Sequence, residues 1–157
     1  FPDITLVLFG PGTASGTFDF FTEHVVGKAR ASRGDYTPSE DDNVLVVGIS
    51  QTKGALGYFG LAYYLHNMDK LKPVKIWNDS LKEYVTPTVE NAIKGIYPLT
   101  RPLFIYVNKN LLKTENTLKF VKFYLENCDR FAKEAGYVPI NEENKRTNLD
   151  KLMKTIQ

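Results

Sequence analysis

Six consecutive residues, Gly12-Thr13-Ala14-Ser15-Gly16-Thr17, concentrate the chemistry that this sequence can do. Small side chains let the backbone N–H groups of a loop converge on an anion without obstruction. A helix starting there would aim its unpaired first-turn N–H groups and positive dipole end at the same point. The Ser15 and Thr17 hydroxyls add neutral donors that rotate to fit. Such a set favours a small tetrahedral oxyanion, because it offers short donors and little apolar surface. It is not a Walker loop, having no Gly-Lys-Ser/Thr, nor a nucleophile elbow, since Gly-x-Ser-x-Gly is absent around Ser15. On these residues alone a second account stays open, in which Ser15 caps a helix and the glycines only turn the chain.

The flanking patterns supply the elements that would hold this loop. Residues 4–9 (ITLVLF), bounded by Pro2 and Gly10-Pro11-Gly12, read as a buried strand. After the loop, Phe18, Phe21 and Val25 recur at helical spacing and predict a helix over 17–26 with one buried face. Strand, small-residue loop and helix make the first half of an α/β unit. Residues 27–36 show no apolar period and read as an exposed excursion. Thr37-Pro38-Ser39-Glu40 carries the marks of a helix start, with Val44, Leu45 and Ile49 as its buried stripe. Residues 53–60 (KGALGYFG) suit a strand closely approached by other groups, 61–68 a helix, and 74–77 a strand. Thr86-Pro87-Thr88-Val89-Glu90 is a further helix start, with Gly95 as its stop. Residues 102–107 (PLFIYV) predict the last strand. Leu118, Val121, Leu125, Phe131 and Ala132 then trace one helix ended by Gly136, and 141–156 a second, more polar one.

Composition narrows the function classes. The chain has 157 residues with 43% hydrophobic and 24% charged side chains, enough for a core and too apolar for disorder. A net charge of +2 does not describe a nucleic-acid surface, and no nucleic-acid partner is expected. Residues 1–107 carry ten basic and eleven acidic side chains, whereas 108–157 carry ten and seven, and the basic tail reads as a solvated helix face. No apolar run approaches the ~18 residues of a membrane span. The single Cys128 excludes an internal disulfide framework and a cysteine zinc cluster. Glu40-Asp41-Asp42 reads as acids complementing a helix dipole rather than as a metal site. His24 and His66 lack a third ligand at useful spacing, so no metal, cofactor or catalytic triad is expected. Tyr58, Phe59, Tyr63 and Tyr64 read as packing groups. The chain opens Phe1-Pro2-Asp3, without Met or a signal-peptide core, and reads as something already cut.

Longer blocks add a family resemblance. The stretch from Gly10-Pro11-Gly12 through Ser15-Gly16-Thr17-Phe18-Asp19-Phe20-Phe21-Thr22-Glu23 resembles the phosphate-specific substrate-binding proteins of ABC importers (PstS type). So do Ala31-Ser32-Arg33-Gly34-Asp35-Tyr36-Thr37, Ser39-Glu40-Asp41-Asp42-Asn43, Lys53-Gly54-Ala55-Leu56-Gly57-Tyr58-Phe59-Gly60 and Pro98-Leu99-Thr100-Arg101-Pro102-Leu103. The resemblance implies an α/β chain of the type II periplasmic-binding-protein fold, a mixed sheet flanked by helices. It implies the second lobe over 1–98, and over 99–157 a crossover strand with terminal helices that return to an absent first lobe. Inorganic phosphate would be held by Ser15, Gly16, Thr17 and the Ala14 position, with Arg33 as the guanidinium partner. The residue-level alternative for Arg33 is an ion pair with Asp35, and Arg30 is a weaker cation candidate that reads rather as solvated. Ala14 departs from the pattern, since relatives often place there an acid able to accept a proton from phosphate.

The resemblance also implies a non-enzymatic, extracytoplasmic or periplasmic protein that delivers phosphate to an ABC transporter permease. Phe1 and Pro2 would lie near one crossover and 97–102 near the other. Phe120, Phe123, Tyr124 and Phe131 would want the missing lobe, or a second chain supplying it, as partner. Two other classes remain in play: a phosphate-handling enzyme, which needs a base or metal beside Ser15, and an interaction module that self-associates without ligand.

Overall fold

The computed structural model describes residues 3–156, and Phe1 and Pro2, expected near a crossover, lie outside them. The chain divides after Pro87 into two compact units. In the first, β1 (Val7–Pro11) is the middle strand of a three-stranded parallel sheet of order β2-β1-β3, with β2 at Thr37–Ser39 and β3 at Ala55–Gly57. Helix α1 (Gly16–Val26) links β1 to β2, and α2 (Asp42–Gln51) links β2 to β3 on the far side of β1. A short α3 (Leu61–Leu65) follows, then an antiparallel pair of β4 (Ile76–Asn78) and β5 (Glu83–Val85). The α/β expectation is met.

Several local expectations shift. Strand β1 begins later than the apolar run and extends through Gly10 and Pro11, because its register is set by partners: Phe9 faces Thr37, and Val7 faces Ala55. Ile4 and Leu6, outside that register, stay exposed. Gly10 is needed inside the strand because a Cβ there would press on the Tyr58 ring. That ring in turn stacks on Phe21 with centroids 3.7 Å apart. The buried face of α1 is Phe18 and Thr22, with Val25 turned outward.

Thr37-Pro38-Ser39 does not start a helix. Its backbone is taken by pairing with Phe9, Gly10 and Pro11, on an edge strand where Pro38 has no ladder N–H to lose. The helix begins at Asp42, capped by Asp41, whose carboxylate accepts the Asn43 N–H at 2.9 Å. Leu45 and Val46 form its buried face with half-buried Ile49, while Val44 points out. The predicted strand near 74–77 becomes β4. Its partner β5 was not foreseen; Trp77 packs edge-on to Tyr84 across the pair.

In the second unit, Thr88 caps α4 (Val89–Ile93), and Gly95 takes a left-handed φ of 66° just beyond it. A 3-10 turn (Leu111–Lys113) precedes α5 (Glu115–Glu134), and Asn141 caps α6 (Glu142–Thr155). Leu112, Val121 and Leu152 form the core there, flanked by Val107, Leu118, Leu125 and Ile156. Lys145 bonds Asp129 at 2.6 Å and ties α6 to α5. The strand predicted over 102–107 is not formed among the described residues. A β run needs a neighbouring edge to satisfy its N–H and C=O groups, and no described strand pairs with it. Leu103, Phe104, Ile105 and Tyr106 are accordingly exposed, as are Phe120 and Phe123 on α5.

Candidate functional site

Strand β1 has β2 on one side and β3 on the other, so the chain reverses its lateral direction at the carboxyl end of β1. In open α/β sheets, that switch point is where a crevice opens for a ligand. The residues found there are the loop 12–15 and the first turn of α1. Gly12 donates its N–H to Ser39 O at 3.1 Å, and Ser15 N closes the turn on Gly12 O at 3.1 Å. Ser15 is the cap of α1: its backbone is extended, and its hydroxyl accepts the Thr17 N–H at 3.1 Å. Among the described residues, neither the Gly16 N–H nor the Thr17 hydroxyl has a hydrogen-bond partner. Gly16 is exposed and Thr17 half-buried, so both donors are within reach of solvent. This end of α1 can therefore offer a backbone donor, hydroxyls and the positive dipole end to an anion.

The charged residues around the loop arrange themselves differently from the sequence reading. Arg33 and Asp35 form a two-point ion pair, Nε to Oδ1 and Nη2 to Oδ2, each at 2.5 Å, with both side chains about two-thirds exposed. The hydrogen bond from Arg33, more than its charge, holds the Asp35 carboxyl below its ordinary range, and the same bond raises the guanidinium. Among the described residues, no hydrogen bond or ion pair joins Arg33 to 12–17. The guanidinium that reaches the loop is that of Arg30, with Nη2 donating to Thr13 O at 3.0 Å and Nη1 3.8 Å from Asp19 Oδ1. That Asp19 oxygen is buried and has no hydrogen-bond partner among the described residues.

Ala14 does not present its N–H freely, because it donates to Glu40 Oε1 at 3.4 Å. The Glu40 carboxylate lies over Gly12, where a Cβ would collide with it. Tyr36 closes the same side, its hydroxyl donating to Pro11 O at 3.1 Å. Burial, and then the Glu40 charge, push the Tyr36 phenol above its ordinary value. Burial, and then Tyr36, push Tyr58 up to about 12. Asp41 and Asp42 serve α2, as cap and as acceptor of the Gly60 N–H at 3.2 Å. No group of His, Cys, Asp and Glu able to hold a metal occurs among the described residues.

The structure thus brings Ser15, Gly16 and Thr17 together at one helix end, sets Ala14 beside them, and keeps Arg33 on the excursion. Sequence reasoning ranks Arg30 behind Arg33 and assigns Glu40 to a helix dipole, whereas both reach the loop from 17 and 26 residues away. The one local signal for Glu40 was Gly12, a glycine that has to make room.

A family model for the PBP superfamily domain matches residues 1–127. Protein SphX of Synechococcus elongatus is 45% identical over 141 residues, covering 89% of this chain and 41% of that protein. The phosphate-binding protein PstS of Staphylococcus aureus is 38% identical over 152 residues, covering 96% of this chain and 45% of that protein. The crystal structure of a possible phosphate binding protein from Planctomyces limnophilus superposes with a TM-score of 0.88 at 45% identity. It covers 100% of this chain and 56% of its own. The chain spans less than half the length of the curated relatives it matches.

Proposed function

Since the chain belongs to the PBP superfamily domain family, we propose that it binds inorganic phosphate at the start of α1 and serves its uptake. The supporting observation is the Gly16 N–H and Thr17 hydroxyl, which have no partner among the described residues and stand at the capped end of an 11-residue helix at the sheet's switch point. Ser15 holds that end open, and Ala14 lines it. Arg33 leaves Asp35 to reach the anion, its planar fork suiting phosphate as it now suits a carboxylate. The role is non-enzymatic: Asp19 faces Arg30, and among the described residues no acid accepts from the Ser15 hydroxyl as a base would. The relatives' names, phosphate-binding protein among them, point the same way.

In this reading residues 1–98 act as one phosphate-binding lobe, and 99–157 return to a first lobe that lies in the rest of a longer fold. The exposed Leu103, Phe104, Tyr106, Phe120 and Phe123 pack there. The lobes close over the anion outside the cytoplasm, and the closed form docks on an ABC transporter permease.

Magnitudes limit what this chain does alone. Micromolar binding needs about 8 kcal/mol. Charge-assisted hydrogen bonds contribute about 1.5–3 kcal/mol each and a helix end about 0.3–1. Association costs at least ~4 kcal/mol. A few donors from one lobe then leave millimolar or weaker affinity. Calorimetry on the isolated chain is expected to give that range, with tight binding when the remaining lobe is supplied. A low-micromolar constant for the 157 residues alone would contradict the two-lobe mechanism.

A further inference from the structure

One peptide group of the loop is gripped at both ends. The Thr13 carbonyl accepts from Arg30 Nη2 at 3.0 Å, and the Ala14 N–H donates to Glu40 Oε1 at 3.4 Å. That carbonyl and that N–H belong to a single planar unit, so a cation and a carboxylate together set the plane that leads into the Ser15 cap. Both grips are anchored. Arg30 holds a left-handed φ of 65°, which a non-glycine residue adopts at a cost and keeps only when its surroundings demand it. Its own N–H donates to the buried Thr22 hydroxyl at 2.7 Å. Glu40 directly follows Ser39, which lies opposite Pro11 in the β1–β2 ladder, and the bare Gly12 leaves its carboxylate room.

We propose that Arg30 and Glu40 are paired positioning residues that clamp the Thr13–Ala14 peptide and so align the Gly16 N–H and Thr17 hydroxyl for an oxyanion. The inference rests on the phosphate-loop reading above. It carries a sign that simple charge effects do not produce. Near a bound anion, losing a cation weakens binding and losing a carboxylate strengthens it. A clamp fails from either side, so losing either residue weakens binding.

The test is a double-mutant cycle in the full chain: Arg30→Gly, Glu40→Ala and the pair. It is read by amide-resolved titration with inorganic phosphate and, without phosphate, by exchange of the Ala14 amide with solvent. Each single variant is expected to bind phosphate about tenfold more weakly, and the pair little more weakly than either, because both act on one peptide. Glycine relieves the left-handed backbone, so Arg30→Gly loses affinity with no loss of melting temperature. Arg30→Lys, which keeps the charge but not the fork, recovers only part of the binding. Tighter binding by Glu40→Ala, or unchanged binding by Arg30→Gly, overturns the clamp. If the parent chain shows no phosphate-dependent shift, the phosphate reading fails instead. The clamp is then judged by exchange: faster Ala14 exchange in Arg30→Gly supports it, and an unchanged rate overturns it.

Discussion

Helices α1 and α2 start in the same way, each just beyond the carboxyl end of a parallel strand of one sheet, yet their positive ends meet different fates. At α2 the chain answers with its own charge. Asp41 caps the helix through Asn43, and Asp42 sits in the first turn. At α1 the cap is a neutral hydroxyl and the acid of the first turn faces Arg30, while the N–H of the first helical residue, Gly16 there and Asp42 at α2, meets no acceptor at either end among the described residues. A helix dipole is common to both. What separates a closed end from an open one is whether the cap residue carries charge.

The sharpest way to break this contrast is to give α1 the cap of α2. Ser15→Asp keeps a good helix cap and places a carboxylate where phosphate oxygens are to sit. Phosphate binding should fall by more than about tenfold while the melting temperature holds or rises, since the acid suits the dipole. Titration and thermal denaturation of the same sample check both halves.

Removing the α2 cap should do the reverse. Asp41→Ala is expected to cost about 1 kcal/mol of stability and leave phosphate affinity unchanged. A denaturant titration measures the first, and the second fails if Asp41 shares the anion site.

The smallest effect concerns pH. Burial pushes the Asp42 carboxyl above its ordinary value, offset in part by the Gly60 N–H. A carboxyl raised on folding binds its proton more tightly in the folded chain, so stability is lost as pH rises from the ordinary carboxylate value through the raised one. Asp42→Asn keeps an acceptor for Gly60 and should flatten that slope, with stability at neutral pH equal or slightly higher. Melting curves between pH 4 and 7 decide it; a steeper slope in the variant would contradict the sign.

How much of this was readable in advance follows from the range of each interaction. The loop 12–17, helix α1, the helix starts near 86–90 and 141 and the long α5 depend on neighbours within a few residues, and composition and spacing carry them. Thr37-Pro38-Ser39 could not be settled locally, because a residue set that opens a helix also makes an edge strand; pairing with β1 decides it. Residues 102–107 have strand composition without a strand beside them among those described, a fact that spacing cannot encode. Arg33 was the natural cation by its motif, but Asp35, two residues on, engages it. Arg30 and Glu40 converge on the loop only because the excursion and the β1–β2 register fold them back.

The central claim is that an anion is received at the open end of α1 and not at the closed end of α2. Amide-resolved NMR during a phosphate titration tests it most directly. Saturable shifts concentrated at Gly16 and Thr17, with Asn43 and Val44 unmoved, are the expected result. Shifts at Asn43 and Val44, or none at Gly16 and Thr17 up to high millimolar phosphate, would contradict it.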